Sequence, residues 1–279
     1  MSNMLGSKIA EGGCSEVYEW EDQSKIIKLA KANTDGYAMR REFEHNLAAW
    51  KKGLPVARPY EFVEIADRPG IVFERINGET LRERLMRQMS MQSGHSQEFT
   101  GEDIRLTARL LSEIHSITDA ELHTSQRVNI INNIHSVGYL LLVEKETVIS
   151  KLEALPEKRV LCHGDPNPGN ILVAKDGRPV IIDWMNASIG NPEADIAEYI
   201  IMFRYAVLPS DLPSQVIDFF DLNREKFIKI FMDEYTKLTG ITYNEIEPWI
   251  IPIAARKLSA DAISEDEKND LLIAIRKSL

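Results

Sequence analysis

Two short stretches of the sequence carry most of the side chains that could do chemistry. HGDPNPGNIL runs from residue 163 to 172, and VIIDW runs from 180 to 184. Glycine and proline alternate with polar residues in the first stretch, which is typical of a loop with fixed backbone angles. Asp165, Asn170 and Asp183 supply carboxylate and amide oxygens, the ligands that Mg²⁺ prefers.

The spacing of these residues indicates phosphoryl transfer. Asn170 follows Asp165 by five positions, as in the catalytic loop of protein kinases. In that reaction a carboxylate orients or deprotonates the attacking hydroxyl, and oxygen ligands hold Mg²⁺ on the triphosphate. The polar turn KDGR between NILVA and PVIID predicts a hairpin that opens with Asn170 and returns the chain to Asp183. We therefore expect Asn170 and Asp183 to reach one metal ion.

Other interpretations of the first stretch stay open. Asn167 either shapes the loop by capping backbone groups or contacts substrate or metal. His163 is expected to be neutral and to fix the loop through hydrogen bonds. The His-x-Asp pattern also suggests a metal hydrolase, but further His or Asp ligands at metal-binding spacing are lacking.

Composition limits the class of protein. With 279 residues, of which 44% are hydrophobic, the chain can form a sizeable core. A net charge of -10 and the lack of a basic cluster argue against a nucleic-acid partner. The sequence has neither a signal peptide nor an apolar run of membrane-spanning length, so we expect a cytoplasmic protein without a membrane partner. Cys14 and Cys162 lack a CxxC partner, which makes a disulfide framework or zinc site unexpected.

The N-terminal pattern predicts a small sheet with one helix. SEVYEW and KIIKLA flank the polar turn EDQS, which predicts a hairpin. The segment YAMRREFEHNLAAWKKG has helical apolar spacing and ends at Gly53. Two further strands are predicted in PYEFVEIADRPGIVFERI, around the turn DRPG.

Helical patterns dominate after NGETL at residues 77–81. The polar segment 88–101 is predicted to be a mobile connector, followed by a helix over EDIRLTARLLSEIHSI. One long helix is predicted over NNIHSVGYLLLVEKETVISKLEAL. The chain after Asn191 is predicted to be helical, with Asn191 as N-cap and Pro192 in the first turn.

HGDPNPGNIL followed by VIIDW resembles the aminoglycoside phosphotransferase and choline kinase family, small-molecule kinases with a protein-kinase-like fold. The resemblance extends over nearly the whole chain. It implies an α+β, two-lobed fold, with a small N-terminal antiparallel sheet and one helix in the nucleotide-binding lobe, residues 1–76. Residues 77–279 would form a larger, mainly helical lobe for catalysis and acceptor binding. It also implies ATP or GTP as phosphate donor, Asp165 as catalytic base, and Asn170 and Asp183 as magnesium ligands.

The resemblance further implies phosphate contacts near the N-terminus. In IAEGGCSEVYEW, Gly12 and Gly13 would let backbone amides approach the phosphates, and Ser15 would add a hydroxyl contact. The segment departs from the G-x-G-x-x-G pattern of protein kinases, and two adjacent glycines also fit a plain turn.

Lys28 lies in an otherwise apolar strand, where a lysine is either an exposed face residue or a phosphate ligand. By resemblance, it is similar to the family lysine that contacts the nucleotide phosphates. Such a lysine needs an opposite charge. Glu42 is its partner by resemblance, and Glu44 is the competing candidate. Backbone groups from Glu74 to Ile76 would bind the base.

The acceptor is expected to be a small molecule. The segment WMNASIGNPEADIAEYI after Asp183 leaves no room for a long peptide-binding segment. Between residues 191 and 247 acidic residues outnumber basic ones, which favours a cationic acceptor if these residues line the site, although they also fit solvated helix faces. An aminoglycoside-type antibiotic, with a role in antibiotic resistance, and an amino alcohol such as choline are the candidates.

Further residues carry two interpretations each. By resemblance, Asp195 supports the loop at 163–170. Four aromatic residues would either box a cation or pack in the core; they are Tyr199, Phe203, Tyr205 and Trp249.

A monomer is expected, and the alternative to an enzyme is a catalytically silent nucleotide-binding module of the same fold.

Overall fold

A computed structural model describes residues 5–21, 23–92, 99–260 and 263–279. The N-terminal part forms one antiparallel sheet and one helix, α1 (Gly36–Lys51). The strands of the sheet are β1 (Leu5–Glu11), β2 (Ser15–Trp20), β3 (Lys25–Ala30), β4 (Pro59–Ile65) and β5 (Arg68–Glu74). Their order across the sheet is β1-β2-β3-β5-β4. The predicted hairpin is the β2–β3 pair.

Strand alternation decides which way Lys28 faces. Ile27 and Leu29 of β3 pack with Trp20 on one face of the sheet. Lys28 lies between them in sequence, so its side chain belongs to the opposite face, with Ala30. That face packs against α1, and the strand pattern therefore directs Lys28 towards this helix.

Helix α1 begins and ends as the sequence predicts. The Asp35 side chain accepts a hydrogen bond from the Ala38 amide (2.8 Å) and caps the first turn. Beyond the last turn, Gly53 has a φ of 77°, a left-handed conformation that favours glycine. The buried face of the helix includes Glu42 and His45.

The turn between β4 and β5 lies earlier than predicted. It is formed by Ala66 and Asp67, which both have positive φ, and the strand resumes at Arg68. Gly70, predicted as a turn residue, lies inside β5. A Cβ there would lie 2.7 Å from Leu29 Cδ2, so this glycine allows the close approach of β3.

The remaining chain is mainly helical. Its helices are α2 (Leu81–Gln92), α3 (Glu102–His115), α4 (Gln126–Ser136), α5 (Leu142–Glu153), α6 (Pro192–Tyr205), α7 (Ser214–Thr239), α8 (Tyr243–Lys257) and α9 (Glu265–Ser278). Its short strands are β6 (Gly78–Thr80), β7 (Val160–Cys162), β8 (Ile171–Ala174), β9 (Pro179–Ile181) and β10 (Ser188–Gly190). The predicted hairpin is β8–β9. Strand β6 pairs with β8 on the edge away from β9, and β7 pairs with β10. The helices share one large apolar core.

The mobile connector predicted over 88–101 is wrong where the structure describes it. Helix α2 continues through Gln92, and Met89 is buried. Phe99 packs against Phe227, with ring centroids 5.0 Å apart. The polar composition hid these apolar anchors, and residues 93–98 of the prediction lie outside the described part.

The single long helix predicted over 132–155 is two helices, α4 and α5. Val137 and Leu140 are buried in the connection between them. The Glu144 side chain accepts a hydrogen bond from the Leu141 amide (2.7 Å), which starts a new helix there. Asn191 does precede α6 as predicted, but its side chain accepts from the Lys158 amide rather than capping α6.

Within the described residues, no helix is both long enough and apolar enough to cross a membrane. The boundary between residues 76 and 77 stays a prediction.

Candidate active site

The loop of residues 163–170 is fastened to α6 by Asp195. The buried Asp195 carboxylate accepts hydrogen bonds from the amides of His163 (2.6 Å) and Gly164 (3.1 Å), and lies 3.3 Å from His115 Nε2. Gly164 has a φ of 79°, and a Cβ there would lie 2.4 Å from the Asn186 carbonyl oxygen. Only glycine fits this position, and Asp195 lies where a loop-supporting residue must.

His163 links the same loop to the end of β9. The ring is fully buried, and its Nε2 lies 3.0 Å from the Ile182 carbonyl oxygen. Its Nδ1 accepts a hydrogen bond from the Asp165 amide (3.3 Å), and its edge packs on Trp184. Both ring nitrogens thus hold the loop through hydrogen bonds to the main chain.

Asp165 and Asn170 form one hydrogen-bonded unit. The Asn170 amide nitrogen donates to the Asp165 carboxylate (2.9 Å) and to its main-chain carbonyl (3.0 Å). Asn170 ends a short 3₁₀ turn rather than opening the strand as predicted, and β8 starts at Ile171. Burial raises the pKa of the Asp165 carboxyl, and the negative charges of Glu198 and Asp183 add to this rise.

Asp183 lies beside this unit. The Ile182 amide donates to the Asn170 carbonyl (2.9 Å), so the two polar residues stand at adjacent ends of the β8–β9 hairpin. Asp183 has a φ of 65°, a conformation that non-glycine residues seldom adopt and that concentrates at functional sites. Burial acts to raise the pKa of Asp183, but the ammonium of Lys28, 3.1 Å away, outweighs it and holds the pKa below its usual value.

Lys28 bridges Asp183 and α1. Its Nζ donates to Glu42 Oε1 (2.6 Å), and the Glu42 side chain is 1% exposed. Glu44 is exposed, so the geometry favours Glu42 as the partner. Burial acts to lower the pKa of Lys28, but the charges of Asp183 and Glu42 exceed this effect and raise it.

The neighbouring lysines of β3 have other partners. Lys25 donates to Glu21 (2.7 Å), and Lys31 pairs with Glu11. Both are therefore less suited than Lys28 to reach the Asp165 loop.

The glycine turn between β1 and β2 is open. The Gly12 amide donates to the Ser15 carbonyl (2.9 Å), and Gly12 and Gly13 are exposed. Neither has a positive φ, and a Cβ at Gly13 would meet nothing within 4 Å. Packing therefore does not require glycine here. Ser15 is buried, at 5% exposure, which limits the contact that its hydroxyl can make.

The segment after β5 has most of its amides in use. The Glu74 amide donates to the Arg58 carbonyl (2.9 Å), and the Arg75 amide donates to the Ser24 carbonyl (3.1 Å). The Glu74 carboxylate accepts from Arg178 (3.0 Å). Ile76 belongs to an apolar cluster that also contains Ile26, Leu172 and Ile182, which joins the sheet to the β8–β9 hairpin.

A cavity of about 840 Å³ opens beside Asp165. Asn167, on its wall, accepts from the Gly169 amide (2.8 Å) and from Arg82 Nη2 (2.8 Å). These bonds favour the loop-shaping interpretation of Asn167. Arg82, the first arginine of α2, was missed in the sequence because arginines on helix faces are common.

The cavity wall also contains Glu198, which the sequence reasoning missed. Glu198 is 5% exposed and accepts from Arg256 (2.9 Å) and Lys257 (3.2 Å) of α8. Arg256 also donates to the Gly164 carbonyl (3.3 Å). A signal was present, since Glu198 follows Asp195 by one helical turn in the apolar segment DIAEYII.

The predicted aromatic residues pack rather than form a cation box. Tyr199 and Trp249 are buried, and Tyr199 stacks on Phe231 at 4.0 Å. Trp249 lies under the guanidinium of Arg127. Phe203 is buried as well, although its edge reaches the cavity.

Comparison with known proteins agrees with this arrangement. Residues 8–227 match the sequence profile described as "Phosphotransferase enzyme family". The chain belongs to this family. No curated protein matches the sequence. Membership of this family supports phosphotransfer as the activity of the chain.

Solved structures share the fold at low sequence identity. Choline kinase LicA from Streptococcus pneumoniae is 17% identical, with a TM-score of 0.62 over 98% of this chain and 92% of that chain. Aminoglycoside phosphotransferase APH(4)-Ia, in a ternary complex with ADP and hygromycin B, is 14% identical, with a TM-score of 0.60 over 98% and 91%. A microcompartment-associated aminopropanol kinase is 12% identical, with a TM-score of 0.59 over 98% and 89%. The expected protein-kinase-like fold is confirmed.

Proposed function

We propose that this phosphotransferase moves the γ-phosphate of ATP or GTP to a hydroxyl of a small molecule, with Mg²⁺. The observation that carries the proposal is the meeting of Asp165, Asn170, Asp183 and Lys28. Asp165 is bonded to Asn170 (2.9 Å) and Asp183 to Lys28 (3.1 Å). Asp165 takes or orients the proton of the attacking hydroxyl, a contribution of roughly 10²- to 10⁴-fold.

The donor set fits a magnesium ion. The Asn170 amide nitrogen is directed at Asp165, so its amide oxygen is the atom available to a metal, together with the Asp183 carboxylate. Two protein oxygens, with phosphate and water oxygens, are the usual ligands of Mg²⁺ on a nucleotide. Bound there, the ion would neutralise phosphate charge, and Lys28 would hold a phosphate oxygen while Glu42 keeps it in place.

The nucleotide would lie between the glycine turn and the β8–β9 hairpin. The amides of Gly12 and Gly13 would approach the phosphates, with Ser15 close by. The base would lie on the apolar cluster around Ile76. Because the amides of Glu74 and Arg75 already donate within the protein, Ile76 is the better placed backbone contact of the predicted segment.

The acceptor side supports a small molecule. Helix α6 begins at Pro192, only nine residues after Asp183, which leaves little chain for binding a polypeptide. An amine on the acceptor, a role in antibiotic resistance, a cytoplasmic location and a monomeric state remain predictions.

The first test is a comparison of Asp165→Asn with the wild-type chain. Nucleotide consumption is measured with Mg²⁺ and a panel of aminoglycosides, amino alcohols and neutral alcohols, and nucleotide affinity by calorimetry. The variant is expected to bind the nucleotide normally and to lose turnover by roughly 10²- to 10⁴-fold. Asp176→Asn, in the exposed β8–β9 turn, is the matched control and should behave as wild type.

Retained turnover in Asp165→Asn would remove the proposed base. If Mg-nucleotide binds but no acceptor is phosphorylated, the silent binding module becomes the better account.

A further inference from the structure

We infer that the acceptor has an extended apolar body carrying a hydroxyl-rich polar end, rather than being a polycation or a very small alcohol. This inference rests on the proposed function, because it takes the cavity beside Asp165 as the acceptor site. Three features of the cavity carry it: the chemistry of its wall, the pairing of its charges and its size.

The wall away from Asp165 is apolar. It is built by α2, α6, α7 and the segment between α6 and α7, and its members include Met86, Met89, Met202, Leu208, Leu212 and Phe220. Apolar surface of this extent is stabilised by contact with an apolar ligand. Methionine side chains adapt to irregular apolar shapes, so the wall suits a bulky hydrocarbon surface.

The charges of the cavity largely neutralise one another. Glu198 is held by Arg256 and Lys257, and Lys257 also lies 3.9 Å from Glu267. Of the carboxylates on the described wall, Asp165 alone has no basic partner at ion-pair distance. A polycation needs several free carboxylates, and this wall offers one.

The polar end offers amides instead. A second cavity of about 220 Å³ shares Asn133, Asn186, Glu198 and Arg256 with the large one, and adds Asn129 and Asn132. Side-chain amides donate to and accept from neutral hydroxyls. A polyhydroxylated head would therefore bind at this end, next to Asp165, with the apolar body directed towards Met202.

The size of the cavity gives an independent indication. At about 840 Å³ it lies near the upper end of the range for sites of drug-sized ligands. An alcohol of a few carbons would leave most of the apolar wall uncovered. The cavity thus favours an amphiphilic acceptor of considerable length.

The test uses n-alkyl β-D-glucopyranosides as probes, with chains from butyl to nonyl and below their micellar concentrations. Their dissociation constants are measured by calorimetry on the full chain loaded with Mg·ADP, with kanamycin as the polycationic comparison. We expect binding to tighten by about fourfold for each added methylene over several carbons, since each buried methylene contributes a nearly constant free energy.

Two variants locate the apolar contact. Met202→Gln and Leu212→Gln should each weaken octyl glucoside binding by about tenfold and leave butyl glucoside binding nearly unchanged. Met91→Gln is the matched control, because Met91 lies on α2 with 56% exposure and does not line the cavity. Normal Mg·ADP binding shows that a variant is folded. If Met202→Gln does not fold, Leu212→Gln is the second variant, because Leu212 lies between α6 and α7 and not within a helix.

Three results would overturn the inference: no measurable glucoside binding, dissociation constants that do not change with chain length, or kanamycin binding more tightly than octyl glucoside. The proposed function has a separate readout. If the chain binds nucleotide and phosphorylates any alcohol, and if Asp165→Asn abolishes that turnover, the proposed function is supported even when the apolar acceptor is excluded.

Discussion

Two groups of buried or partly buried charges lie near Asp165. The first charge group, at the proposed nucleotide site, consists of Lys28, Glu42 and Asp183. The second charge group, at the proposed acceptor site, consists of Glu198, Arg256, Lys257 and Glu267. In the first, one cation lies between two carboxylates. In the second, cations and carboxylates are equal in number.

This difference indicates what each side is built to bind. The first charge group has an excess of negative charge, which suits an incoming divalent cation. The second is balanced, and it fastens α8 to α6 and to the Gly164 carbonyl instead of presenting free charge. The proposed nucleotide site is thus distinguished by its charge, and the proposed acceptor site by its shape and apolar wall.

Breaking the first charge group should have the largest effect on stability. Glu42→Gln removes the buried carboxylate and leaves the partly buried Lys28 with Asp183 as its remaining partner. Removing one member of a buried ion pair typically costs about 3 to 5 kcal/mol. Urea unfolding measures the loss. Glu44→Gln, on the exposed face of the same helix, should change stability by less than about 0.5 kcal/mol. Equal effects of the two changes would show that Glu42 has no special role.

A buried histidine beside this group should make folding sensitive to acid. Burial lowers the pKa of His45 to about 4, and its ring contacts the Trp184 carbonyl (3.0 Å). Because the folded pKa lies below the unfolded value near 6.5, stability is complete above pH 6.5 and falls as the pH drops towards 4. The full loss is about 3 kcal/mol.

The variant His45→Gln should flatten this dependence, measured by urea unfolding between pH 7 and 4. His135→Gln, which changes an exposed histidine, should keep it. An unchanged pH profile in His45→Gln would contradict the assignment.

Breaking the second charge group should have a smaller effect. Glu198→Gln removes the shared charge of Arg256 and Lys257, but both cations keep a second partner, the Gly164 carbonyl for Arg256 (3.3 Å) and Glu267 for Lys257 (3.9 Å). We expect a loss of about 2 kcal/mol in the free energy of unfolding. Glu247→Gln, at an exposed position of α8, is the control. A loss in the free energy of unfolding as large as that of Glu42→Gln would show that the two charge groups contribute equally to stability.

The same contrast explains what the sequence could predict. Asp165, Asn170 and Asp183 were predictable because their spacing along the loop and the β8–β9 hairpin leaves little freedom in where they meet. Lys28 was predicted through the family resemblance, because a lysine in an apolar strand also fits an exposed face.

The acceptor side could not be predicted in the same way. Its wall is assembled from α2, α6 and α7, and ordinary methionine and leucine residues acquire meaning only when these helices pack. The acidic composition of residues 191–247 suggested a cationic ligand. Of these acidic residues, Glu198 lies on the described wall of the large cavity, and it is already paired with Arg256 and Lys257. The spacing of residues along one element can be interpreted from the sequence, whereas the pairing of charges between different helices is known only from the fold.

We expect Asp183 to hold a nucleotide-bound Mg²⁺ next to Asp165. Calorimetry measures the binding of ATP and GTP, with Mg²⁺ and with a chelator, to the wild-type chain and to Asp183→Ala. Mg²⁺ should strengthen wild-type binding by at least about tenfold, and Asp183→Ala should lose this gain while still binding the metal-free nucleotide. An equal gain from Mg²⁺ in both proteins would show that Asp183 does not hold the metal.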